Sequence, residues 1–236
     1  MTRTLMKTLG PCVCALLLLG GRLGASPTDE VRRVEDSLKV LHELTGTPEK
    51  GIPRKLLSGA NAIVVIPDMV KGGFVVGAKH GRGVLSTKLP DGNWANPAFI
   101  TMTGGNIGWQ IGVESIDLVL LVMNRQGVDD LLSDKFTVGG NLSVAAGPVG
   151  RNADAATDAK LGSGILAYSR TAGLFAGATF EGAGLRADKD ANESFYGRKL
   201  GIREAIDVKQ APAAVQDIAK TWRATLRELT ANDERR

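Results

Sequence analysis

Thiols, imidazoles and aromatic rings are scarce in this chain: it has two cysteines, two histidines and 5% aromatic residues among 236. Both cysteines, Cys12 and Cys14, fall within the first 25 residues. If that segment is removed, no thiol is left, which excludes disulfides and thiolate chemistry. His42 and His80 alone cannot supply the three or four protein ligands of a zinc site, so no metal and no cofactor are expected. The adjacent pair Asp129 and Asp130 lies in a polar turn, where neighbouring carboxylates would not face one substrate. Ser143 and Ser169 lack the glycine-flanked elbow of a hydrolase nucleophile. The glycine clusters at 77–83 and 105–108 follow neither the phosphate-loop nor the dinucleotide-turn order, so tight β turns account for them. No catalytic residue is assigned; an enzyme would need a cleft that brings His80, Gln110 or Glu181 together.

Long apolar runs are also missing. The stretch 9–20 is shorter than the roughly 20 residues that cross a bilayer. With Arg3 and Lys7 before it and Leu23, Gly24 and Ala25 after it, residues 1–25 read as a secretory signal peptide cleaved near Ala25. Both cysteines precede most of the leader's leucines, which argues against a lipoprotein, and the cysteine-free remainder points to a bacterial periplasm or secretion. Arg3, Lys7 and Arg22 leave with the leader, so 26 basic side chains then face 25 acidic ones. That balance is no basis for nucleic-acid binding.

What is abundant is glycine, 30 residues, together with strand-like alternation. The stretch 97–124 organises the rest. Ile107, Trp109, Ile111 and Val113 alternate with Gly108, Gln110, Gly112 and Glu114, the period of a half-buried strand, and residues 118–123 are continuously apolar, as in a strand covered on both faces. Residues 61–66 form a β-branched run ended by Pro67. Residues 71–88 read as a hairpin that pivots around 79–83, and Asp91-Gly92 marks a turn. Further strands are expected at 135–146, 165–169 and 174–180. Residues 151–162 read as a surface loop, and residues 187–197 as a polar turn leading to Phe195 and Tyr196.

Helices bracket these strands. Ser26 and Pro27 open one in which Val31, Val34, Leu38 and Leu41 recur at helical spacing, with Arg32, Arg33 and Lys39 on or beside its wet side. Short helices are expected at 52–60 and after Asn124. The clearest helix is 211–230, where Val215, Ile218, Ala219, Trp222, Leu226 and Leu229 form a stripe. The expected fold is α+β: a mainly antiparallel, glycine-rich sheet or partly closed barrel flanked by N- and C-terminal helices, in one domain over 26–236.

Lys71, Lys79, Arg82 and Lys88 lie along the proposed hairpin, with His80 among them. Such a group can meet lipid phosphates or serve as a solvated, aggregation-resistant edge.

The ordered residues also resemble a family. Ala60, Asn61, Ile66 and Pro67, then Lys71-Gly72-Gly73-Phe74, the 77–83 turn, Trp94 with Pro97-Ala98-Phe99, Gly105, Gly108, Gln110 and Gly112, the run 117–124, residues 144–151, Tyr168-Ser169-Arg170, residues 173–177 and Phe195-Tyr196-Gly197 are similar to the SYLF or Ysc84-like lipid-binding domains, in a secreted bacterial branch. The resemblance implies a non-catalytic periplasmic protein that binds lipid or associates with the envelope, with anionic phospholipid head groups or a membrane surface as partner. Lys71, Lys79, His80, Arg82 and Lys88 are then the lipid-binding candidates, and actin is not expected in a periplasm. The alternative is a protein-interaction or structural module of the envelope; an uncharacterised hydrolase is the remote third reading.

Overall fold

The computed structural model describes residues 27–46, 51–133, 136–140, 143–149, 164–171, 174–177 and 182–231. The expected leader, Ser26 and the loop 151–162 lie outside them, as do the side chains of residues 107–113 in the expected alternation. In chain order the elements are α1 (Pro27–Thr45), α2 (Arg54–Gly59), β1 (Ala62–Thr87), β2 (Ala98–Val122), α3 (Arg125–Leu131), β3 (Phe136–Val138), β4 (Val144–Ala146), β5 (Ile165–Thr171), β6 (Leu174–Gly177), β7 (Ala183–Ala187), α4 (Lys189–Tyr196), α5 (Ile202–Ile206), a 3-10 turn (Ala213–Val215) and α6 (Gln216–Leu229).

Two very long strands carry the architecture. β1 and β2 pair antiparallel from Ala62↔Val122 to Leu85↔Ala98. The expected hairpin around 79–83 is therefore corrected: these residues run unbroken through β1, and the chain reverses in the connection after Thr87. Register shifts at Ile66/Met69 and Gly73/Val75 bend the ribbon, and Asp68 takes a positive φ of 46° at the first of them. Gly83 consequently lies against Val65 and Ile66. Eighteen extended residues would span about 60 Å, so this contact requires the ribbon to fold back on itself. Glycine permits it: a Cβ on Gly83 would sit 2.7 Å from the Ile66 side chain and collide with the Val65 carbonyl, and one on Gly81 would sit 2.7 Å from Met69.

β2 is the spine of the sheet. Its first part, Ile100 to Gly104, pairs with β7, and its last part, Asp117 to Val122, pairs with β5. β3 joins β7, β6 joins β5, and β4 runs parallel to β5, which makes the sheet mixed. The result is the expected α+β fold, a nearly closed sheet with helices at both ends of the chain. The apolar run in β2 is buried from Leu118 to Val122, facing Ile63, Val65 and their neighbours in one core. α1 packs on β1, and α6 packs on α1 and α2, so Trp222 is buried within a helical layer.

Two local expectations change. Residues 135–146 do not form one strand, because Gly139 at φ 80° turns the chain after β3. Residues 187–197 are not a polar turn: Asp188 caps α4 by accepting the Ala191 N–H, and Gly197 at φ 75° ends it. The capping pair is local and legible, but the polar composition between the two residues masks it.

Gly83→Ala is expected to destabilise the protein by about 1–3 kcal/mol through overpacking. Gly184→Ala, whose methyl would rest 3.7 Å from the Thr103 carbonyl, is expected to change little. Urea unfolding of both variants measures the contrast, and equal effects would rule out the folded-back ribbon as its cause.

Candidate functional site

Charged side chains are concentrated where helices meet the ribbon. Glu30 in the first turn of α1 is fully buried, and Arg33 one turn later is 8% exposed. This corrects the expectation that Arg33 lies on or beside the wet side of α1. It turns inward because it has two carboxylate partners: Glu30 at 3.0 Å and Asp188, the cap of α4, at 3.0 Å. Its guanidinium also stands 5.3 Å above the Phe99 ring. Arg82, reaching from β1, lies 3.3 Å from Asp188 and 3.9 Å from Glu30. Two cations and two carboxylates thus join α1, β1 and α4.

The compensation is uneven. Neither Glu30 oxygen accepts a hydrogen bond, and burial pushes its pKa up despite the nearby arginines. Asp188 is also penalised by burial, but the Ala191 N–H and Arg33 outweigh that and hold its pKa below the ordinary carboxylate range. Next to this cluster Asn192 fixes α4 to β2: its Oδ1 accepts the Phe99 N–H at 3.0 Å, and its Nδ2 donates to the carbonyls of Phe99 and Leu200. A second cluster sits at the ribbon's first bulge. Asp117 accepts the Asp68 N–H at 3.0 Å and the Arg170 Nε–H at 2.7 Å, and Arg170 also reaches Glu43 of α1.

The five cationic candidates do not form one exposed patch. Lys79 is 8% exposed, its pKa lowered by burial and then by Lys71, whereas His80 points to solvent from the opposite face of β1. Arg82 is half exposed and engaged by Asp188. Lys88 donates to the Ser58 carbonyl at 2.8 Å and stands 5.6 Å from the Trp94 ring centre, with its pKa lowered by burial. Lys71 is half-buried opposite Glu114 in the ribbon. His42 donates to the Leu38 carbonyl at 2.8 Å on a different element. Among the described residues, no group of three or more His, Cys, Asp or Glu is placed to hold a metal ion, and no helix is long and apolar enough to cross a membrane.

A groove that the sequence reading missed lies between α6 and the turn at 89–94. Leu89, Asp91, Trp94, Lys220, Arg223 and Arg227 line it around a volume of about 340 Å³. Trp94 is anchored in its wall by donating Nε1–H to Thr230 Oγ1 at 2.9 Å. The three cations recur at helical spacing on one face of α6, a signal present in the sequence but overshadowed there by the apolar stripe. Nothing local showed that a turn 130 residues earlier would face them.

The chain belongs to the Ysc84 family. The profile described as "Ysc84: Las17-binding protein actin regulator" matches residues 103–225, just over half of the chain. Protein YSC84 of Saccharomyces cerevisiae is 35% identical over 194 residues, covering 80% of this chain and 41% of that protein. SH3 domain-containing YSC84-like protein 1 of Rattus norvegicus is 32% identical over 200 residues, covering 81% and 58%, and SH3 domain-containing protein PJ696.02 of Schizosaccharomyces pombe is 34% identical over 187 residues, covering 78% and 43%. The chain therefore spans about half the length of these relatives.

These matches correct several expectations. The relatives are fungal and mammalian, which overturns the secreted bacterial branch and, with it, the periplasmic or secreted location, the envelope role and the anionic phospholipid of that compartment as partner. The family description names an actin regulator, which overturns the exclusion of actin. The compartment reading had a narrow basis, the leader pattern and the cysteine placement in residues 1–25, whereas the matches run through the folded body.

Replacing Arg33 by methionine leaves Glu30 and Asp188 buried with the half-exposed Arg82 as their remaining cation, and a loss of about 3 kcal/mol is expected at pH 7. The raised pKa of Glu30 means that its contribution is most favourable below its unfolded value and is lost as pH rises through the folded value; the lowered pKa of Asp188 works in the opposite sense, lost as pH falls through its folded value. Without Arg33 both carboxylates become easier to protonate, so the deficit of Arg33→Met should shrink as pH falls from 7 towards 4. Thermal melts of both proteins across that range test this, and a deficit independent of pH would exclude the charge explanation.

Proposed function

We propose that this chain is a non-catalytic protein-interaction module that acts in actin regulation. The observation that carries the reading is the match of residues 103–225, from the middle of β2 into α6, to a family described as Las17-binding and actin-regulating. The alignment with the yeast and rat proteins over about four fifths of this chain supports it, since a match of that extent takes in the whole β1–β2 ribbon. The distribution of polar groups is in keeping: the buried charges are spent on joining elements, and the cations of α6 remain at the surface.

The full chain, immobilised, is expected to retain purified Las17 from solution or to co-sediment with actin filaments, and to do so without consuming a nucleotide or any other substrate. If neither Las17 nor filamentous actin is retained at low salt, this reading is wrong and the family relation describes the fold alone.

A further inference from the structure

The groove on α6 carries positive charge that the fold does not use. Lys220 and Arg227 are exposed and Arg223 is half-buried, and among the described residues none of the three forms an ion pair. The Nε of Arg223 is buried without a hydrogen-bond acceptor. Asp91, the carboxylate on the opposite wall, is occupied in its own turn by the backbone N–H and side-chain amide of Asn93, both at 2.9 Å. Asp217 and Glu228 also belong to α6 but do not line the groove. Lys88, on the ring of Trp94, adds a further cation near its wall.

Geometry narrows the class of ligand. A single phosphate is best held by cations converging on one point, but Lys220, Arg223 and Arg227 are strung along the helix over about 10 Å of rise. An extended peptide covers that length in about three or four residues at roughly 3.3 Å each. The exposed Ala224 lies between the charges on α6 and Leu89 lines the facing wall, offering room for a small apolar side chain among acidic ones. The site is also concave between a helix and a turn, a shape that fits a strand of peptide better than a flat bilayer surface.

We propose that this groove binds an acidic peptide segment of a partner protein in extended form, its carboxylates meeting Lys220, Arg223 and Arg227 and one apolar side chain resting by Leu89. The proposal rests on the interaction-module reading and assigns it a surface. The guanidinium of Arg223, which lines the groove, gives a carboxylate two donors in one plane. Lys220 and Arg227 are exposed and contribute mainly to capture and to salt dependence.

The test uses the full chain and a fluorescein-labelled octapeptide of glutamate and aspartate with one central leucine, followed by fluorescence anisotropy. Its glutamine and asparagine isostere serves as the neutral probe. The acidic probe is expected to bind, and to weaken as salt rises from about 50 to 300 mM. K220E/R227E, which changes only exposed positions, is expected to weaken binding by at least about tenfold. The same variant should gain affinity for an octapeptide with lysine in place of the acidic residues. R223Q should weaken the acidic probe as well, with circular dichroism melts confirming that each variant is folded. Equal binding of the neutral probe, or unchanged binding by K220E/R227E, would overturn the proposal. Flotation with phosphatidylserine vesicles that depends on Lys220 and Arg227, without peptide binding, would overturn it in favour of a lipid surface. Capture of Las17 or actin by a chain that ignores the acidic probe would remove the groove and leave the interaction reading standing; groove-dependent peptide binding without Las17 or actin capture would do the reverse.

Discussion

The close approach of β1 to itself is the constraint on which the remaining structure depends. A two-stranded ribbon more than twenty residues long cannot bury its apolar residues while it is straight, because each face needs a partner layer. The bulge at Asp68 and the missing side chains at Gly81 and Gly83 let the ribbon fold back, so that Ile66 and Met69 pack against the later half of the same strand. β2 follows β1 through the bend and thereby offers separate edges to β7 and β5. A nearly closed sheet results from one hairpin plus short additions.

Bending the ribbon creates junctions that apolar packing alone does not specify, and polar groups fix them. Arg33 takes carboxylates from its own helix and from α4, while Asn192 uses both ends of its amide to hold the edge of β2. Asp117 does similar work at the bulge. Buried charges of this kind add little net stability, since desolvation offsets the attraction, but they penalise any arrangement that separates the partners. α6 is held differently, through its apolar stripe and the Trp94–Thr230 hydrogen bond, which leaves its cationic face outward.

The proposed interaction role rests on family membership, and the groove on α6 is a separate observation. The family match runs from within β2 into α6, and the chain spans about half the length of its relatives, so partners named for those longer proteins can engage parts outside the matched region. The four cations and His80 first singled out along residues 71–88 are spread over both faces and several partners. The cations of α6 share one face and one groove.

The stripe of α6, the buried run of β2 and the apolar spacing of α1 were determined by the sequence itself, because each follows from neighbours within a few residues. The extent of the strands, the inward turn of Arg33 and the groove were decided only by tertiary structure. Arg33 meets Asp188 across 155 positions and Trp94 meets Thr230 across 136. An arginine beside a helix's polar face reads as solvated until a distant carboxylate is brought to it, and a row of helical cations becomes a site only when another segment supplies the opposite wall.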